Sequence, residues 1–166
     1  MQVPTEEDVA AHLGRLIDEA VPGRRGLAAW GALLEAHATL MRQLQTDLVS
    51  KTGLDLNDFD VISQLAQAGG RLRMTDLAAR AFSSRSGLTR RIDRLVEQGL
   101  VGRTIADGDA RGVVVTLTEA GVARVAETVP VHLGMVAELF MAKLDEEELA
   151  LLERALKKVI LDRTFG

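Results

Sequence analysis

Cysteine is absent from this chain, which excludes disulfides, Cys-ligated zinc and thiol redox chemistry. Aromatic residues make up only 3% and tyrosine is missing altogether, too little to build the base-stacking platforms that read single strands. His12, His37 and His132 stand far apart and form no metal-ligand spacing. No apolar run approaches the roughly 18 residues of a membrane span, and the N-terminal segment carries acids where a signal peptide would be basic and then apolar. The expectation is a soluble cytoplasmic protein with no membrane partner. Also lacking are a phosphate-binding G-x-x-x-x-G-K, an H-E-x-x-H pair and a histidine near the serine-rich run 83–86. Neither an enzyme nor a bound cofactor is expected.

What is present is an apolar fraction of 47% over 166 residues, enough for the core of one domain or one domain with a docking element. The formal charge of −4 argues against a polyanion partner only until its distribution is considered. Between Arg71 and Arg111 nine arginines face five acids, a local +4, so the remaining 125 residues carry −8. Every cation in that island is arginine, the planar fork that binds phosphate bidentately. Such an island in an acidic chain outlines a phosphate-binding module; taken alone, it is equally the outline of a solvated charged face.

The periodicity is helical at both ends and mixed in the middle. Thr5 followed by Glu6, Glu7 and Asp8 reads as a capped helix start, with Val9, Leu13, Leu16, Ile17 and Ala20 at helical spacing up to Pro22-Gly23. Leu27, Trp30, Leu34, His37, Met41, Leu44 and Leu48 mark a longer helix that stops at Gly53. A third helix is expected from Asn57 or Asp58 to Gly69-Gly70. Thr75 then caps a short helix presenting Leu77, Ala78, Ala81 and Phe82, and Ser83 or Ser84 caps the next, with Leu88, Ile92, Leu95 and Val96 inward and Gly99 as its stop. Residues 100–104 and 112–117 read as two strands joined by an Asp- and Gly-rich turn over 105–111. Thr118 caps a helix that Pro130 should break or kink, and Asp145 to Glu148 has the form of a capping box ahead of the stripe Leu149, Leu152, Leu156, Val159 and Ile160.

Helix, short turn, helix and hairpin is the order of a winged helix-turn-helix, in which the second helix enters the major groove. With Leu88, Ile92 and Leu95 turned inward, the opposite face carries Ser84, Arg85, Ser86, Thr89, Arg90, Arg91 and Arg94. Hydroxyls suit phosphates and base edges, and arginine reaches guanine O6 and N7. The fold class expected is mainly α, α+β, with this module over 57–118 and flanking helices at 1–56 and 119–166 forming a helical dimerisation region. Those flanks carry apolar stripes that a small winged helix could not cover. A C2 homodimer on a pseudo-palindromic duplex operator is the matching arrangement, and a helical monomer core is the alternative.

Five pieces in register resemble the MarR family of bacterial transcriptional regulators. They are Leu77-Ala78, the run from Ser84 to Leu95, Gly99-Leu100-Val101, the run from Asp109 to Val113, and the run from Leu117 to Gly121. The resemblance is dense over 71–121. It implies a homodimer that binds a palindromic operator, usually as a repressor, and that often releases DNA on binding a small aromatic or phenolic effector. It also implies that Arg111 enters the minor groove from the wing tip while Asp109 positions it. A narrow minor groove does attract an inserted arginine, although these residues could also simply close a hairpin. Trp30, His37 and Met41 are the candidate effector contacts, because His37 interrupts an apolar stripe and a buried imidazole needs a partner; a core or interface histidine satisfied by protein is the plainer reading. The rival function is a helical protein-interaction module that uses a winged helix without DNA.

Overall fold

A computed structural model describes residues 5–21, 25–80, 85–106 and 109–161. Helix α1 (Glu6–Ala20) starts at a capping box, with the Asp8 amide donating to Thr5 Oγ1 and the Thr5 amide donating to the Asp8 carboxylate, each at 3.2 Å. Helix α2 (Arg25–Thr52) ends at Gly53, whose φ of +70° lets its N–H reach the Val49 carbonyl at 2.8 Å. The chain divides into two compact units, Met1–Arg42 and Gln43–Gly166.

The second unit holds α3 (Leu56–Gln67), β1 (Arg71–Arg73), α4 (Met74–Arg80), α5 (Arg85–Glu97), β2 (Val101–Ala106), β3 (Asp109–Leu117), α6 (Glu119–Leu139), a 3-10 turn (Met141–Lys143) and α7 (Glu146–Leu161). The strands form an antiparallel sheet in the order β1-β3-β2, with Leu72 opposite Val115 and Arg103 opposite the same residue from the other side. Leu48, Ile62, Leu65, Leu77, Leu88, Ile92, Leu95 and Val115 are fully buried in one cluster with Met135 of α6. A mainly helical winged helix-turn-helix is therefore the observed fold class.

Several local expectations change. Helix α3 begins earlier than Asn57 or Asp58, because the Asp55 side chain accepts from the amides of Asn57 and Asp58 and so takes the cap position. Thr75 lies inside α4, which starts at Met74 directly after β1, a strand too short to stand out in the sequence. The hairpin strands run further than 100–104 and 112–117, so Asp109 and Arg111 belong to β3. Val96 is 39% exposed instead of inward. Helix α6 continues through Pro130 without a break. The proline removes one N–H from the ladder, while buried Thr128 and Met135 anchor the helix on either side and Thr128 Oγ1 donates to the Arg124 carbonyl at 2.7 Å.

Within Glu119–Lys143 an 18-residue stretch reaches a mean hydropathy of 1.3, which by length and composition alone would suffice for a membrane span. Gly121, Thr128 and Met135, seven residues apart, form the one buried edge of α6, and the rest of the helix is half-buried or exposed. Its start is locked to the sheet: Thr118 Oγ1 donates to the Gly99 carbonyl at 2.6 Å and accepts from the Gly121 amide at 3.0 Å. A Cβ on Gly121 would stand 2.0 Å from the Leu100 carbonyl oxygen, so only glycine permits this approach. Less than one turn further along α6, Arg124 donates to the Thr52 carbonyl and caps the C-terminus of α2.

His132 of α6 packs its ring 4.9 Å from that of Phe59 on α3, and its buried Nδ1 has no hydrogen-bond partner. Burial lowers its pKa below the ordinary 6.5. The unfolded chain therefore takes up this proton more readily than the folded one, and stability should fall as pH drops below about 6.5, levelling off once the folded imidazole has also titrated. In urea unfolding at a series of pH values, His132→Leu should flatten that decline. An unchanged slope would assign the acid sensitivity to other groups.

Candidate nucleic-acid interface

The interface is organised by α5. Leu88, Ile92 and Leu95 are each 0% exposed and fix one side of the helix to the core. A period of 3.6 residues then turns Arg90 directly outward, with Thr89 and Arg94 to either side. Arg90 is exposed, and among the described residues it makes no hydrogen bond or ion pair. Thr89 is also exposed. The backbone of Arg85 and Ser86 forms the first turn of α5. Ser84, and the side chains of Arg85 and Ser86, lie outside the described residues, as do the side chains of Asp109 and Arg111 at the start of β3.

Arg91 and Arg94 have a different setting from Arg90. Both turn toward α3, where Asp58 is only 2% exposed. Arg94 grips Asp58 in a fork, Nε to Oδ2 at 2.9 Å and Nη2 to Oδ1 at 2.7 Å. Arg91 Nη1 donates to Asp58 Oδ1 at 3.2 Å and to Asp55 Oδ1 at 3.0 Å. Hydrogen bonding to Asp58, reinforced by its charge, raises the Arg94 pKa further. Burial pushes the Asp55 carboxyl up, but donors from Asn57 together with the Arg91 guanidinium outweigh it and hold the group below its ordinary range. Gln45 of α2 completes the network, donating to Asp55 Oδ2 at 3.0 Å and accepting from the Leu56 amide at 2.9 Å. Both arginines lie on the face that the sequence assigns to DNA, and both are engaged here by carboxylates of α3.

A second tether holds the opposite flank. Arg103 of β2 reaches back to α5, pairing with Asp93 Oδ1 at 2.5 Å and donating to the Thr89 carbonyl at 3.2 Å. The hairpin is thereby bound to the helix it flanks. Arg71 and Arg73 stand on the outer strand and line an open depression with Asp76, Thr104 and Ile105. Asp55, Asp58 and Arg103 were not singled out in the sequence. The two aspartates carry only the signal of an Asp-x-x-Asp opening a helix, which reads as capping alone, and Arg103 stands out only as one member of the arginine island.

Trp30, His37 and Met41 lie on α2 in the first unit. Trp30 is 57% exposed, His37 is exposed and Met41 is 39% exposed. The expected burial of His37 is corrected within this chain: Leu34 beside it is exposed as well, and none of the described residues of the unit buries this stripe.

A MarR family model matches residues 52–112. The HTH-type transcriptional regulator PecS of Dickeya dadantii is 29% identical over 119 residues, 69% of this chain and 72% of PecS. AbsC, a MarR family transcriptional regulator from Streptomyces coelicolor, has a crystal structure that superposes with a TM-score of 0.75 at 29% identity, covering 98% of this chain and 97% of AbsC. A mutant of E. coli MarR complexed with operator DNA matches with a TM-score of 0.71 and 29% identity over 87% of this chain and 97% of that one. The same mutant crystallised without DNA is 30% identical over 78% of this chain and 95% of its own, with a TM-score of 0.64.

Proposed function

The chain belongs to the MarR family of transcriptional regulators, and from that premise we propose that it represses transcription as a homodimer on a pseudo-palindromic operator. In this reading α5 lies in the major groove and the β2–β3 hairpin reaches the adjacent minor groove. The observation that carries it is Arg90: an exposed guanidinium, unpaired among the described residues, centred on a helix face whose two flanks are pinned by ion pairs. Ser84, Arg85, Ser86 and Thr89 would complete the helix contacts, and Asp109 and Arg111 the wing. The crystal structure of a mutant E. coli MarR complexed with operator DNA supports DNA binding by this fold.

The functional division proposed is residues 57–118 for DNA and 1–56 with 119–166 for dimerisation. Exposed Val9, Leu13, Leu16 and Ile17 on α1, with Trp30, Leu33 and Leu34 on α2, favour a second copy as their cover. Relief by a small aromatic effector is the regulatory proposal. Trp30, His37 and Met41 would be its contacts once the partner closes over the stripe.

Arg90→Ala tests the assignment. It should cost about 1–3 kcal/mol on the operator and relax preference at one definable base position, with thermal stability unchanged. Arg111→Ala should also weaken binding, but its effect should track the A·T content of the flanking minor groove. Affinities are measured on operator, half-site-altered and flank-altered duplexes. If Arg90→Ala weakens every sequence equally, Arg90 binds phosphate and base reading passes to Arg85 or Ser86. If no duplex is bound, the DNA-binding reading fails.

A further inference from the structure

Four arginines, Arg85, Arg90, Arg91 and Arg94, occupy α5. Two of them are tied to a carboxylate that the fold has placed beneath the helix. Asp58 is almost wholly buried, yet its oxygens accept three N–H groups from Arg91 and Arg94. Phe59, Val61, Ile62 and Leu65 of the same helix are buried by apolar packing. Arg94 follows Arg90 by one helical turn and keeps 48% of its side chain exposed. Released from Asp58, it would lie within reach of any phosphate that runs beside Arg90.

We infer that Asp58 is a specificity-determining positioning residue, which raises sequence discrimination by withholding Arg91 and Arg94 from the DNA backbone. The inference rests on the DNA-binding reading above. Binding to non-cognate duplex is supplied almost entirely by cations that neutralise phosphates and release counterions, whereas operator binding adds base contacts. Pairing two cations internally therefore weakens binding to random sequence more than binding to the operator. The fork geometry makes the withholding effective: Arg94 uses both its Nε and an Nη on Asp58, which is the edge a guanidinium would present to phosphate. Asp55 adds a second hold on Arg91 through a carboxyl fixed at the start of α3 by its own backbone contacts.

The test compares full-length wild type, Asp58→Asn, Arg94→Gln and the double variant. Each is titrated by fluorescence anisotropy against an operator duplex selected with wild type from a random library, and against a scrambled duplex, over a series of KCl concentrations. On scrambled DNA, Asp58→Asn should steepen the slope of log K against log salt by about 1 per protomer, the contribution of Arg94, because Asp55 still holds Arg91. It should bind scrambled DNA several-fold more tightly, and the ratio of operator to scrambled affinity should fall. Arg94→Gln, which keeps a donor for Asp58, should leave the slope as in wild type, and the double variant should lose about one unit of the added slope. A merely structural role for Asp58 would lower both affinities with no change in slope.

The inference is overturned if Asp58→Asn keeps the wild-type slope, or if Arg94→Gln alone loses about one unit, since Arg94 would then already touch phosphate. Should Asp58→Asn fail to fold by circular dichroism, the Arg94→Gln slope decides. Wild type that binds no duplex overturns this inference and the DNA-binding reading together. Specific wild-type binding with an unaltered Asp58→Asn slope overturns this inference alone.

Discussion

Changing Arg91 and Arg94 together to alanine should lower the stability of the Gln43–Gly166 unit by about 3–5 kcal/mol, a large share of the roughly 5–15 kcal/mol typical of a domain. The cause is the charge left behind. Asp58 sits at 2% exposure, and without its two guanidinium partners it would be an unpaired carboxylate in the core. Either single change should cost less than half as much, because the remaining arginine keeps a donor on Asp58 Oδ1. The effects are therefore more than additive, as expected within one network. Adding Asp58→Asn to the double variant should recover part of the loss, since a buried amide costs less than a buried charge. Urea unfolding monitored by circular dichroism gives all four stabilities. A double variant as stable as wild type would mean that water solvates Asp58 and that the cluster holds nothing together.

The same cluster shows where reading the sequence stops. Helix starts at Thr5, Thr118 and Asp145 were legible, because each cap is satisfied by an amide three residues later and the pattern is local. The inward face of α5 was legible for the same reason: Leu88, Ile92 and Leu95 repeat at the helical period. Which outward arginines are free was not. Arg91 and Arg94 meet a carboxylate 33 and 36 residues earlier in the chain, and nothing near them in sequence marks that pairing. Strand β1 escaped similarly, since Arg71-Leu72-Arg73 has too few residues for a pattern and becomes a strand only by pairing with β3. Pro130 is the opposite case, since the helix break that its chemistry suggests does not occur. Local chemistry disfavours a helix there, and packing of Thr128 and Met135 on its two sides overrides it.

Removing residues 145–166 should abolish dimerisation and lower operator affinity by about 10²–10⁴-fold. Helix α7 begins at a box in which the Glu148 amide donates to Asp145 Oδ1 at 2.8 Å and the Asp145 amide donates to Glu148 Oε2 at 3.0 Å. Three acids in its first turn suit the positive end of the helix dipole. The helix is thus well specified on its own, yet Leu151, Val159 and Ile160 are 61%, 66% and 67% exposed. Leu149, Leu152 and Leu156 line an open, largely apolar groove with Phe140. Apolar surface of that extent on a stable helix marks an association face, and a second copy of this chain is the proposed cover. Two winged helices joined in a dimer bind a palindrome with the second half-site presented at high effective concentration, and a monomer loses that gain. Sedimentation of the truncated protein at micromolar concentration should therefore give a monomer whose circular dichroism still reports a folded winged helix, with affinity for an isolated half-site preserved. A truncated chain that remains a dimer with full operator affinity would remove α7 from the interface and leave α1 and α2 as its only proposed elements.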